Sequence, residues 1–233
     1  MEERNKMFVN KVGYSHWIEG RNCHDFGFDL DKYKCVADGC SEGLHSEVGA
    51  KSFCYLIERY LKNSCDLSEI FQILNKTFKE DNDKFNYLLF TFIILNENDN
   101  DYEVTYCGDG IIIKQKFDDS FEYEELDKGN TPSYFSYNFI NPEKLSKYKE
   151  GVKYNNLIFS KDDYKSIGIA SDGIQYIINS PFKDEFEKNL LKRSAVGIKR
   201  LINREQRKRY LQENGVFQIK PIGFFDDDIT IVI

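Results

Sequence analysis

Residues 33–40 read YKCVADGC, a short strand-like run that passes directly into Asp38 and Gly39. The pattern recurs in GIASDGI (168–174), where Asp172 and Gly173 follow an apolar run. It appears in reverse in DDDITIVI (226–233), where three aspartates precede one. A carboxylate at the end of a strand is rigidly held, and a glycine beside it lets a backbone carbonyl or a ligand come close. A single Asp-Gly after a strand is ordinarily a turn. Three acidic strand ends in one chain predict carboxylates gathered at one rim of a sheet. Such carboxylates repel one another unless a hard divalent cation neutralises them.

Working outward, the periodicity changes in blocks. Residues 25–38 predict two short strands joined by a polar turn at 29–32. Phe53, Leu56, Ile57, Tyr60 and Leu61 fall on one helical face. Ile70, Phe71, Leu74 and Phe78 form a second such face, with Asp66 and Glu69 as a capping pair. Strands are expected at 88–95, 102–107, 111–116, 121–126, 156–160 and 166–171. Ser180 and Pro181 read as N-cap and first residue of a helix carrying Phe182, Phe186 and Leu190. A Lys- and Arg-rich helix follows, stopping near Asn214-Gly215, and residues 229–233 close the chain as an apolar strand. Residues 96–101 space their oxygen-bearing side chains like a calcium loop but lack its Gly and Glu, so a hairpin tip is expected. Asp29-Leu30-Asp31 lacks a preceding buried strand and reads as a solvated turn. Helices and strands in separate blocks indicate an α+β fold: a central β-sandwich of two antiparallel sheets with helices outside, in a single domain over 1–233.

Composition narrows the function. Hydrophobic residues make up 41% of the 233, including 19 Phe and 15 Tyr, enough for a sizeable core. A net charge of −7 excludes a general nucleic-acid binder. The basic stretch 199–209 reads as a solvated helix face. The charged N-terminal residues carry no apolar signal region, and no run is long enough to span a membrane. Cys23, Cys35, Cys40, Cys54, Cys65 and Cys107 form no CxxC pair, and free thiols in a cytoplasmic protein are expected.

Beyond these single signals, NCHDF (22–26), VADGCSEGLHSEVGA (36–50), CGDG (107–110), GIASDGI and DDDIT (226–230) stand in a specific order. That series resembles the motifs of the type 2C metal-dependent serine/threonine phosphatases. It is closest to their short bacterial branch, whose Gly-x-x-His and Pro-Tyr segments are matched by Gly13 to His16 and by residues 130–134. The resemblance implies the family's β-sandwich flanked by helix pairs. It implies two ions, Mn2+ or Mg2+, with Asp38 bridging them, the Gly39 carbonyl as a ligand of one, and Asp172 and Asp227 completing the other's shell. Asp25 matches a supporting aspartate and Asp109 the Asp of the Gly-Asp turn. Arg21 is either a phosphate-binding arginine, set one residue closer to the motif than usual, or a surface arginine.

Departures from the pattern qualify this. His24 stands where the family has Glu or Gln supporting the second ion, and is either a ligand or a polar neighbour. Cys40 supplies no general acid. Tyr176 occupies a position where some members carry an acidic ligand of a third ion. His16 and His45 read as loop or core histidines. Two function classes follow: a phosphatase acting on phosphoserine and phosphothreonine in proteins, paired with a cognate kinase, or a regulatory phosphoprotein-binding module on the same fold without turnover.

Overall fold

The computed structural model describes residues 7–30, 32–60, 66–127, 133–140, 151–215 and 225–233; Asp31, Leu61, Cys65 and residues 130–132 lie outside them. In chain order the elements are β1 (Phe8–Lys11), α1 (Tyr14–Ile18), β2 (Phe26–Leu30), β3 (Tyr33–Gly39), α2 (Ser46–Tyr60), α3 (Leu67–Thr77), α4 (Asp81–Tyr87), β4 (Phe90–Glu97), β5 (Asp101–Cys107), β6 (Gly110–Gln115) and β7 (Phe121–Leu126). After a short 3-10 turn come β8 (Asn155–Ser160), β9 (Ser166–Ala170), α5 (Gln175–Ile178), α6 (Lys183–Leu191), α7 (Ala195–Glu213) and β10 (Ile229–Val232).

The strands form two five-stranded sheets, ordered β1-β10-β9-β6-β7 and β2-β3-β4-β5-β8, with every described pairing antiparallel. Three apolar cores explain the layering. Val36, Ile93, Leu95 and Val104 of one sheet meet Ile112, Ile167, Ile169 and Val232 of the other. Cys35, Ala37, Phe90, Phe92 and Ile94 point the opposite way, onto Phe53, Ile57, Ile70, Phe71 and Leu74 of α2 and α3. Ile111, Ile229 and Ile231 face Ile177, Phe186, Leu190 and Leu201 of α5 to α7. Strand side chains alternate faces. Here both faces of the inner strands are covered, so β4 is apolar at every position from Phe92 to Leu95, and the α+β sandwich expected from the sequence is formed.

Local chemistry accounts for most boundaries. Asp66 caps α3, its side chain accepting from the Ser68 N–H at 3.2 Å. Gly215 follows the end of α7 with φ +74°, a conformation glycine adopts freely. Residues 98–100 turn the β4–β5 hairpin, closed by Asn98 N–H to Asp101 O at 2.9 Å.

Other boundaries differ from expectation. Ser180 does not cap a helix directly: its Oγ accepts from Phe182 N–H and donates to Ile177 O, and α6 begins at Lys183. The hydroxyl closes a tight turn between α5 and α6 instead. β1, α1 and α4 were not anticipated. Four or five residues show no period, and α4 buries no side chain.

A candidate dicarboxylate cluster at the rim of the sandwich

Strand register assembles the cluster. Phe26 pairs with Ala37 and Asp38 with Thr91, so one further step along the β2–β3 pair sets Asp25 opposite Asp38. Asp38 shares the parity of Val36, which faces the other sheet. On that other sheet Ile169 and Val232 face inward, and the same parity turns Ser171 and Asp228 inward too. The sheets meet here: Ser171 Oγ donates to Asp25 Oδ2 at 2.5 Å and accepts from Thr230 N–H at 2.9 Å. The Asp38 carboxyl lies beside those of Asp25 and Asp172.

Two carboxyl groups can share a hydrogen bond only if one carries a proton. Burial, followed by the charges of Asp25, Asp172, Asp227 and Asp109, pushes Asp38 well above the ordinary carboxylate range. Asp25 moves the same way through burial and Asp228. Burial and Asp227 raise Asp172 to about 7, and burial raises Asp109 to about 6. Asp227 is also raised, by burial first and then by Asp228. Four sequence-expected carboxylates, Asp25, Asp38, Asp172 and Asp227, thus act on one another, with Asp109 at the margin.

Asp109 sits on the link between sheets, Gly108-Asp109-Gly110. Gly108 has φ +85°, and a Cβ there would lie 2.4 Å from Thr91 Cγ2. Only glycine passes that close, and the turn leaves Asp109 hydrogen-bonded to Thr91.

The three consecutive aspartates before β10 do three different things. Asp226 pairs with Arg209 of α7 and accepts from Ser15 Oγ at 3.3 Å. Asp227 lines the cavity. Asp228 is buried, accepting from Gly13 N–H at 2.5 Å, His24 N–H at 2.5 Å and His16 Nδ1 at 2.9 Å. Burial opposes ionisation of Asp228, but these donors outweigh it and hold it below the usual range. The bond to Asp228 raises His16 in turn. A Cβ on Gly13 would lie 2.3 Å from the Asp227 carbonyl carbon. The Gly13 to His16 segment is therefore a clamp on the acidic loop. The sequence does not single out Asp228 and Ser171, since both faces of ITIVI are buried, one of them carrying Thr230, and the inward parity is not marked by exposure.

A cavity of about 480 Å³ opens over the cluster, lined by Asp38, Gly39, Cys40, Glu42, Thr91, Asp109, Tyr134, Asp172 and Asp227 among others, with no Lys, Arg or His among the described lining residues. Gln175 lines it and Tyr176 does not. Arg21 and His24 line a neighbouring cavity of about 370 Å³. There the Arg21 Nε is 2.8 Å from Glu19 Oε2, both side chains about half exposed. His24 is buried against the His16 ring, centroids 4.3 Å apart. Burial and that neighbour lower its pKa.

The donors facing the main cavity suit a hard cation. The carboxylates of Asp38, Asp109, Asp172 and Asp227 line it, and carboxylate oxygens are ligands of Mg2+ and Mn2+. Among the described residues Asp172 Oδ1 is buried with no hydrogen-bond partner, as is Asp25 Oδ1. Among the described residues no three His, Cys, Asp or Glu side chains are already gathered around one ion position. Mutually repelling carboxylates need the ion to draw them together.

No protein-family model and no curated relative matches this sequence. Solved structures do match in fold. The Mycobacterium tuberculosis serine/threonine phosphatase PstP/Ppp aligns with TM-score 0.58 at 15% identity, over 97% of this chain and 96% of that one. The serine/threonine phosphatase Stp1 from Staphylococcus aureus aligns with TM-score 0.51 at 11% identity, over 97% and 92%. RsbX, solved in complex with magnesium, aligns with TM-score 0.50 at 19% identity, over 99% and 96%. The chain has the fold of the bacterial type 2C phosphatases.

Proposed function

We propose that this chain, as one catalytic domain over residues 1–233, is a metal-dependent phosphatase that hydrolyses phosphoserine and phosphothreonine in proteins. The observation that carries the reading is Asp38, half-buried beside Asp25 and Asp172 in a cavity whose charged lining residues, among those described, are all Asp or Glu. The fold neighbours are serine/threonine phosphatases, which agrees with it.

Asp38, the Gly39 carbonyl, Asp172 and Asp227 would hold two Mn2+ or Mg2+ ions, with Asp109 at the margin, while His24 lines the neighbouring cavity. When bound, such ions supply an acidified water and neutralise charge on the phosphoryl oxygens. The chain's own groups prepare for this. Ser171 holds Asp25, which orients Asp38 from below. The Asp228 clamp fixes the loop that presents Asp227. Burial keeps these carboxylates poorly hydrated, so they favour a cation over their own mutual repulsion. Arg21, released from Glu19, would meet the phosphate of the phosphoprotein substrate. The partners are that phosphoprotein and the kinase that makes it, in a cytoplasmic setting.

One observation favours the second reading, a phosphoprotein-binding module without turnover: Arg21 is paired with Glu19 and lines the neighbouring cavity. Hydrolysis of a phosphothreonine peptide and of para-nitrophenyl phosphate, with Mn2+ and with EDTA, decides between them. Wild-type protein should hydrolyse both with Mn2+ only, and Asp38→Ala should lose at least a hundredfold. No Mn2+-dependent turnover of either compound selects the binding module.

A further inference from the structure

The cavity beside the carboxylate cluster is lined by two side chains that each keep one atom unpaired. His24 Nδ1 and Glu47 Oε2 are both buried and, among the described residues, both lack a hydrogen-bond partner. Their residues are 5% and 9% exposed and line the same cavity of about 370 Å³. None of Asp38, Asp172 or Asp227 lines it, although Ser41 lines both cavities.

The two groups arrive from different elements. Glu47 stands in the first turn of α2, and His24 in the segment leading into β2. The His24 backbone N–H is already committed to Asp228. A carboxylate oxygen can only accept, and the unprotonated nitrogen of a neutral imidazole also presents a lone pair. Neither atom is open to water, so the complement is a cation that has shed part of its hydration. His45 Nδ1 lies 3.9 Å from Glu47 Oε1, a further nitrogen at the mouth. A mixed imidazole and carboxylate pair suits Mn2+ better than Mg2+.

We propose that His24 Nδ1 and Glu47 Oε2 bind a divalent cation of their own, separate from the Asp38 cluster, which ties the segment before β2 to the start of α2. This gives His24 a ligand partner, Glu47, that the resemblance to phosphatases does not supply.

Equilibrium dialysis counts Mn2+ per chain, and pulsed electron paramagnetic resonance detects nitrogen bonded to it. Circular dichroism confirms that each variant is folded. Wild-type protein should show nitrogen coupling on bound Mn2+. His24→Ala should lose that coupling together with one equivalent, and Glu47→Gln should weaken the same equivalent at least tenfold. Asp38→Asn should retain it, coupling included. Absence of nitrogen coupling in the wild type overturns the proposal, whatever the variants do. So does coupling that survives Glu47→Gln at unchanged affinity but disappears in Asp38→Asn, which returns His24 to the carboxylate cluster. If the nitrogen-coupled ion is the only Mn2+ bound, this site stands and the dimetal phosphatase reading falls.

Discussion

Asp172 illustrates how a single residue couples the site to stability. Its folded pKa of about 7 lies above the ordinary aspartate value of 3.8, so the folded state binds more protons than the unfolded chain between those limits. Without metal, the stability that Asp172 contributes is therefore fully present at low pH and is lost as pH rises through 7. Asp109, raised to about 6, adds to the same trend. In EDTA the melting temperature should fall between pH 5 and pH 8, and Asp172→Asn should flatten that fall. Excess Mn2+ should remove it, because a cation replaces the proton. A wild-type melting temperature in EDTA that is level or rises across this range contradicts the electrostatic account of the cluster. Sequence made Asp172 visible, as a carboxylate after an apolar run. It could not show the burial and the charges that raise its pKa, since Asp227 and Asp109 come from other segments.

At the scale of the element, α7 contains two arginines that look alike in sequence. Arg204 pairs with Glu185 at 2.8 Å, both side chains 44% exposed, and with the buried Glu205, which keeps Lys208 as a second partner. Arg209 is 16% exposed, stacks 4.0 Å from the Tyr14 ring centroid and pairs with Glu213 and with Asp226 of the acidic loop. An exposed pair contributes little, about 0.2–1 kcal/mol. Arg204→Ala should therefore shift a urea unfolding midpoint only slightly. Arg209→Ala should cost about 1–3 kcal/mol, since it removes a stacked, charge-assisted contact in a half-buried setting. It should also lower Mn2+-dependent activity through the loop that presents Asp227. Equal midpoints for the two variants would show that Arg209 is one more solvated charge, as expected of the whole stretch 199–209. Helical spacing identified the basic face correctly for Arg204 and missed Arg209, because the acidic loop joins it from beyond the helix.

Across the whole molecule the apolar layer between the sheets bears both halves of the cluster. Leu95 is fully buried in that layer, while Ile158 on the edge strand β8 is 70% exposed. Leu95→Ala should cost about 2–5 kcal/mol. Ile158→Ala should change stability by no more than about 0.5 kcal/mol. Denaturant midpoints for the two variants test this. If Leu95→Ala were as mild as Ile158→Ala, the sheets would not be sharing a packed core.

What the sequence determined by itself was local: strands that end in Asp-Gly, helical faces through Phe53 and Phe71, an N-cap at Asp66 and the α+β class. Each follows from spacing within a few residues. The tertiary structure decided which of Asp226, Asp227 and Asp228 faces the cavity, and that Gly13, 215 residues away in sequence, clamps the third of them. It also decided that Arg21 lies beside Glu19 and that His24 shares a cavity with Glu47. The physical reason is the burial of both strand faces. A strand covered on one side announces its inward residues by alternation, but ITIVI is buried at every position, Thr230 included. Only the opposing sheet, through Ser171 and Asp25, selects the parity that turns Asp228 inward.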